Sequence, residues 1–303
     1  MTKHFLALHD FSKQELDAML ALAVELKQKQ KSGIEHHLLK GKTLAMIFEK
    51  ASTRTRISFE VGIYQLGGHG LFISSANSQM GRGEPIKDSA RVMARYCDGV
   101  MIRTFGQEIV EEFAQYSSVP VINGLTDLFH PCQIMADLQT VIEHKGGYKG
   151  LKFAWVGDGN NMANTWIEAA AIFGFDLALA CPNGYEPDRQ VWDWAQKQGT
   201  ASITITEDPE EAVRDADVIN TDVWASMGQE SEQKQREFAF QGYCVNDELL
   251  AAAKPDSIVL HCLPAHRGEE ISEDVIEGKH SVVWDEAENR LHIQKAIMAT
   301  LMK

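Results

Sequence analysis

The feature that most narrows the fold of this chain is a repeated alternation. Short apolar runs are broken by glycine, serine or charged residues, and stretches with helical spacing follow them. In the first half the runs are "KTLAMIF", "HGLFIS" and "GVMIRT"; in the second they are "LKFAWVG", "FDLALACP", "ASITIT", "ADVINTD", "SIVLHC" and "SVVWDEA". Apolar runs of this length between helical segments read as strands of a parallel sheet joined by helical crossovers. An α/β protein is expected.

The two series are separated by "PCQIMADLQTVIEHKG", a long helix candidate that ends on Gly146 and Gly147. With 303 residues and 44% hydrophobic content, two domains with real cores are expected, divided at that turn into residues 1–145 and 146–287. An amphipathic helix precedes the first series: Ser12 is a candidate N-cap with Glu15 three positions on, followed by Leu16, Met19, Leu20 and Ala23 at helical spacing. The closing segment "ENRLHIQKAIMATLMK", 288–303, is helical in pattern and suits either domain.

Composition excludes several classes of partner. A formal charge of −14 argues against nucleic acid or an anionic membrane surface, and it makes clustered arginines informative about anionic ligands. No segment approaches the ~18 apolar residues of a membrane helix, and "MTKHFLALHDFSKQEL" lacks the basic region and apolar core of a signal peptide, so a cytoplasmic location is expected. The five cysteines are scattered and form no C-x-x-C pair, which indicates neither a disulfide framework nor a zinc knuckle.

In open α/β sheets ligands bind beyond the carboxyl ends of strands. In this chain those positions are rich in polar groups. Ser52-Thr53-Arg54-Thr55-Arg56 follow the first run, Arg103-Thr104 follow "VMI", and His130-Pro131-Cys132-Gln133 open the long helix. In the second half Asp158-Gly159-Asn160-Asn161 follow "FAWVG", Thr221-Asp222 follow "VIN", and His261-Cys262-Leu263-Pro264 follow "IVL". The first group suits an oxyanion, because a helix N-terminus offers free N–H groups and a positive dipole end beside hydroxyls and arginine. Residues two apart on a helix face nearly opposite sides, so Arg54 is favoured as ligand contact and Arg56 as structural. The plainer alternative is a helix cap with two solvated arginines.

"VGDGNNMANTW" has the G-x-G of a dinucleotide turn at Gly157 and Gly159, but Met162 occupies the third glycine position. Asn160 and Asn161 suit a polar zwitterion better than a pyrophosphate, and a simple β-to-α turn is the alternative. His261, Cys262 and His266 match no standard tetrahedral metal spacing. Cys262 is a strand-end thiol, and His130 stands directly before a proline-initiated helix, a position that favours function over packing.

Together, Ser52-Thr53-Arg54-Thr55-Arg56, His130-Pro131-Cys132-Gln133, Asp222-Val223-Trp224-Ala225-Ser226-Met227-Gly228 and His261-Cys262-Leu263-Pro264 resemble the carbamoyltransferases, and within them the ornithine carbamoyltransferases. The likeness runs from about Phe5 to the C-terminal helix. It implies two Rossmann-like domains linked by long helices, with residues 288–303 packing back on a carbamoyl phosphate-binding domain and 146–287 binding ornithine. Carbamoyl phosphate contacts implied by the resemblance are Ser52, Thr53, Arg54, Thr55, Gln79, Arg103, His130, Pro131, Cys132, Gln133, the backbone at Cys262 and Leu263, and Arg290. Gln79 belongs to a loop that serves a neighbouring subunit's site in this family, and Arg290 reaches the site from the start of the closing helix. Ornithine contacts implied are Asn161, Asp222, Ser226 and Met227, and Arg103, His130, Asp222 and Cys262 carry the catalytic roles.

The resemblance implies transfer of the carbamoyl group to the δ-amine of ornithine with no metal and no organic cofactor, in a homotrimer or a multiple of trimers. Closure of the "SMG" loop over ornithine after carbamoyl phosphate binds is a further expectation. Acceptors weighed beside ornithine are N-acetylornithine, N-succinylornithine, putrescine and aspartate. A Rossmann-type dehydrogenase and a non-catalytic binding protein are the alternatives from other classes. Biosynthetic use in arginine formation is the expected direction.

Overall fold

The computed structural model describes residues 2–303. The chain divides into two compact units, Met1–Gln139 with Glu288–Lys303, and Thr140–Ala287. The division falls inside a helix, ahead of the Gly146–Gly147 turn where the sequence pattern placed it.

The first unit runs α1 (Lys13–Lys31), β1 (Thr43–Phe48), α2 (Thr53–Gln65), β2 (His69–Ser74), α3 (Ile86–Met93), β3 (Gly99–Arg103), α4 (Gln107–Tyr116), β4 (Val121–Leu125) and the start of α5 (Pro131–Lys145). Its four strands form a parallel sheet in the order β2-β1-β3-β4. Strands β1 and β3 lie inside the sheet and are buried almost throughout, which is why they read as unbroken apolar runs. β4 was not among the expected strands, since Gly124 and the polar Asn123 break its apolar pattern. Ser12 forms the expected capping box with Glu15, each closing one free N–H at the start of α1.

The second unit continues with β5 (Lys152–Val156), α6 (Asn161–Phe173), β6 (Asp176–Ala180), α7 (Arg189–Gln198), β7 (Ile203–Thr206), α8 (Pro209–Val213), β8 (Val218–Thr221), α9 (Gln233–Ala239), α10 (Asp247–Leu250), β9 (Ile258–His261), α11 (Glu273–Ile276) and the start of α12 (Val283–Leu301). Its sheet is parallel, in the order β7-β6-β5-β8-β9. The expected strand "SVVWDEA" is corrected: Ser281 makes one isolated bridge to Val259, and helix begins at Val283. Asp285 and Glu286 in the first turn favour that helix start through the dipole.

The closing segment Glu288–Lys303 belongs to the first unit. Gly62 of α2 allows its close approach, because a Cβ there would stand 3.0 Å from the terminal methyl of Met298 and 3.3 Å from Cγ of Lys295. Among the described residues no helix is long and apolar enough to cross a membrane.

Candidate active site

Each sheet reverses its direction of growth once, between β1 and β3 in the first unit and between β5 and β8 in the second. The loops leaving the carboxyl ends of those strands diverge and leave a crevice, the place where such folds bind ligands. Of the polar groups singled out in the sequence, Ser52–Arg56 and Arg103–Thr104 leave the first sheet at its switch point and Asp158–Asn161 and Asp222 leave the second at its own, while His130–Gln133 follow β4 and Cys262–Pro264 follow β9.

In the first unit β1 ends at Phe48, paired with Arg103 at the end of β3. Ser52 then caps α2, its Oγ accepting from the Thr55 amide at 3.2 Å. Thr55 Oγ1 accepts from Arg290 Nη2 at 2.7 Å and lies 3.4 Å from Arg103 Nη1. A second Arg290 nitrogen donates to Gln133 Oε1, and Gln133 Nε2 donates to Asp137 Oδ1 at 2.8 Å. The Gln133 amide is thus fixed in one orientation by a donor on one side and an acceptor on the other. Thr55, Arg103, His130, Gln133 and Arg290 are all buried. Two buried guanidiniums converging on a hydroxyl at the N-terminus of a 13-residue helix are a grouping suited to an oxyanion.

His130 is held well below the ordinary histidine range, first by burial and then by the guanidiniums of Arg290, Arg103 and Arg54. Its ring is therefore neutral at physiological pH, suited to donate one hydrogen bond and not to carry a charge. The same effect separates the two arginines of the "STRTR" run. Arg54 lies close enough to act on His130, whereas Arg56 donates to Glu60 Oε2 at 3.3 Å and stacks 3.9 Å over Phe72.

Not every residue of this group presents its side chain there. Cys132 Sγ donates to the Asn123 carbonyl at 3.4 Å, with burial pushing its thiol up to about 12. Pro131 opens α5, where its missing N–H costs nothing. Gln79 is exposed in the segment after β2 and makes no side-chain hydrogen bond among the described residues. Arg290 joins the group from well inside α12 and not from the start of the helix as expected.

In the second unit Asp222 follows β8 and is buried. Its Oδ1 accepts from Cys262 Sγ at 3.1 Å and from the Val223 amide at 2.8 Å, and its Oδ2 accepts from Asn160 Nδ2 at 3.2 Å. Burial raises the Asp222 carboxyl above the ordinary range despite the Cys262 bond, so it binds a proton more readily than a surface aspartate. Asn160 also caps α6 through Oδ1, and Asn161 begins that helix. Ser226 donates its amide to Gln229 Oε1 at 3.0 Å, and Met227 is half exposed.

The segment after β9 is fixed from behind. His261 Nδ1 accepts from the Leu263 amide at 2.9 Å, which puts its ring proton on Nε2, 2.9 Å from Glu270 Oε1. Leu263 sits at φ 58° before a cis peptide to Pro264. Asp222, His261 and Cys262 bring potential ligand atoms within 4.8 Å of one another. Both His261 nitrogens, however, are engaged in those two bonds.

Asn160, which the sequence offered for a polar zwitterion with a plain turn as the alternative, reaches Asp222 with its side chain. One contributor was missed in the sequence: Asp137 was not singled out, although its i to i+4 spacing from Gln133 was a usable signal. The dinucleotide alternative loses further ground here, since Met162 fills its position as a buried side chain. Gly159 is also closed: a Cβ on it would stand 2.2 Å from the Glu186 carbonyl carbon.

Comparison with known proteins agrees with this geometry. The carbamoyl-P binding domain of the aspartate/ornithine carbamoyltransferases matches residues 3–143, and their Asp/Orn binding domain matches 149–301. An ornithine carbamoyltransferase of Geobacter sulfurreducens is 80% identical over 303 residues, covering 100% of both chains. The ornithine carbamoyltransferase structure from Pyrococcus furiosus aligns with a TM-score of 0.95 at 51% identity, over 99% of this chain and 97% of that one. The anabolic enzyme of Campylobacter jejuni aligns at 0.94 and 46%, over 99% of each chain. Oxyanion groups after β1 and β3, acceptor-type groups after β5, β8 and β9, and these full-length matches place the chain in the aspartate/ornithine carbamoyltransferase family.

Proposed function

We propose that the chain transfers the carbamoyl group of carbamoyl phosphate to the δ-amine of L-ornithine, giving L-citrulline and phosphate. The observation that carries this reading is the convergence of Arg103 and Arg290 on Thr55 Oγ1 at the start of α2, beside a neutral His130. Ser52, Thr53, Arg54 and Thr55 hold the phosphate with those two arginines, and His130 and Arg103 bind the carbamoyl oxygen. Gln133 and the Cys262 and Leu263 carbonyls take the carbamoyl NH₂. Asn161, Asp222, Ser226 and Met227 hold the amino acid.

The neutral δ-amine nitrogen forms a bond to the carbamoyl carbon, and the carbonyl electrons move to oxygen. Hydrogen-bond donors at such an oxyanion are each worth on the order of 3 kcal/mol in a water-poor site. Collapse breaks the carbon–oxygen bond to phosphate, which leaves as an anion, and the nitrogen loses a proton. Asp222 takes that proton, since burial raises its carboxyl above the ordinary range and Cys262 orients it. A buried carboxylate also favours an acceptor that arrives as an ammonium ion over the acidic side chain of aspartate.

Use in arginine biosynthesis and a cytoplasmic location complete the reading. A homotrimer is supported by the exposed Ile57 and Tyr64 on α2 and Leu71 and Phe72 on the edge strand β2, an apolar surface suited to a second copy. The deciding experiment is colorimetric detection of ureido product from carbamoyl phosphate and a panel of ornithine, its N-acetyl and N-succinyl forms, putrescine and aspartate. Product from ornithine alone is expected; product only from an N-acylated acceptor overturns the assignment.

A further inference from the structure

Arg236 lies in α9, outside every motif discussed above, in the polar stretch "EQKQREF". Its guanidinium is nevertheless buried and ties three points of the second unit together. Nη1 donates to Asp158 Oδ2 at 2.9 Å and to the Trp224 carbonyl at 2.8 Å, and Nε donates to Glu232 Oε2 at 3.1 Å. The group also lies 5.0 Å over the ring of Tyr185. Asp158 belongs to the loop after β5, two residues before Asn160, and Trp224 belongs to the loop after β8, between Asp222 and Ser226. One nitrogen therefore bridges the two loops that flank the switch point of this sheet.

The surroundings hold the bridge in one geometry. Trp155 Nε1 donates to the Asp158 carbonyl at 3.0 Å, and Trp224 stacks on Phe240, whose amide donates to the Arg236 carbonyl at 2.8 Å. A buried guanidinium with fixed partners exchanges little with water, so it sets the separation of the loops more rigidly than a surface pair would.

We infer that Arg236 is a positioning residue for amino-acid binding, which clamps the β5 loop to the β8 loop and sets the spacing between Asn161 and the Asp222–Met227 segment. This rests on the reading that the acceptor binds between those loops. Arg236 touches neither substrate; it acts through Asp158 and the Trp224 carbonyl.

The test is steady-state kinetics of Arg236→Gln, Arg236→Lys and Asp158→Asn, with KM measured separately for each substrate. Arg236→Gln and Asp158→Asn are expected to raise the KM for ornithine about tenfold or more, while the KM for carbamoyl phosphate stays within about twofold. Arg236→Lys keeps one nitrogen able to reach both the Asp158 carboxylate and the Trp224 carbonyl, so it falls between wild type and Arg236→Gln. Titration of each variant with 2-aminopentanoate, which is ornithine without its δ-amine, should show the same order. Should Arg236→Gln fail to fold, the nearly isosteric Asp158→Asn makes the same demand. An unchanged ornithine KM in the folded variants overturns the inference, as does an equal rise in both KM values. Wild-type protein that forms no ureido product from ornithine overturns the functional reading instead.

Discussion

Replacing Arg290 by Gln tests the oxyanion site at its most connected point. The arginine reaches Thr55 Oγ1 at 2.7 Å with one nitrogen and Gln133 with another, so the change removes a positive charge and two charge-assisted bonds. A unit charge pair about 4 Å apart at an effective dielectric near 20 is worth about 4 kcal/mol. Arg103 and Arg54 remain and compensate in part, so about 3 kcal/mol of phosphate binding is the expected loss, roughly a hundredfold in kcat/KM for carbamoyl phosphate. The KM for ornithine should move far less, because the two Arg290 hydrogen bonds go to Thr55 and Gln133, groups assigned to carbamoyl phosphate. The substitution carries an independent spectroscopic signature. Arg290 is the largest charge holding the His130 ring deprotonated, so the His130 titration followed by NMR should rise toward the ordinary value while burial keeps it below. A threefold or smaller change in kcat/KM for carbamoyl phosphate, with His130 unmoved, would refute the convergence of guanidiniums as the phosphate site.

Other outcomes follow from the same geometry. Asp222→Asn should lower kcat by about a thousandfold with a modest change in KM for ornithine, as single-turnover measurements would show, since Asn accepts the Cys262 hydrogen bond but not a proton. Lys295 is fully buried with Gln65 Oε1 at 2.9 Å and His36 Nε2 at 3.2 Å as hydrogen-bond partners among the described residues, and burial lowers its ammonium to about 8. At neutral pH it still carries its charge, and holding that charge away from water costs the folded state stability, so Lys295→Met should raise the thermal midpoint by several degrees in calorimetry. Buried His292 is lowered to about 4 from 6.5, again chiefly by burial. The folded state then binds fewer protons than the unfolded chain between those values, so stability present above pH 6.5 is lost as pH falls toward 4. The contribution is about 3 kcal/mol, and His292→Gln should flatten that part of the denaturation profile.

The helix start with its cluster of hydroxyls and arginine was legible in sequence because it is local. A helix start after a strand brings Ser52, Thr53, Arg54 and Thr55 together within one turn, and the two-residue spacing of Arg54 and Arg56 already separated their directions. Asp137 acts within a single helix and could have been read from its spacing to Gln133. Arg236 had no such signal: in a run of glutamine, lysine and glutamate it looks like any solvated residue, and only the fold buries it. The expected strand at "SVVWDEA" failed for a related reason, as its apolar run is short enough for either state and the acidic residues that follow favour a helix start.

What the sequence determined by itself was periodicity and local chemistry: parallel strands with crossover helices, the capping of α1 and α2, and the polar composition of the strand ends. Strand order lay beyond it, because hydrogen bonding between neighbouring strands depends on which runs come side by side and not on the character of each run. That order puts Arg103 beside the "STRTR" helix start and Asp222 beside Asn160. Packing of the closing helix on the first unit then brings Arg290 to Thr55 across 235 positions of chain. Burial decides the protonation of His130 and Asp222, since the cost of charge depends on the solvent a group has lost, a quantity that exists only once the chain is folded.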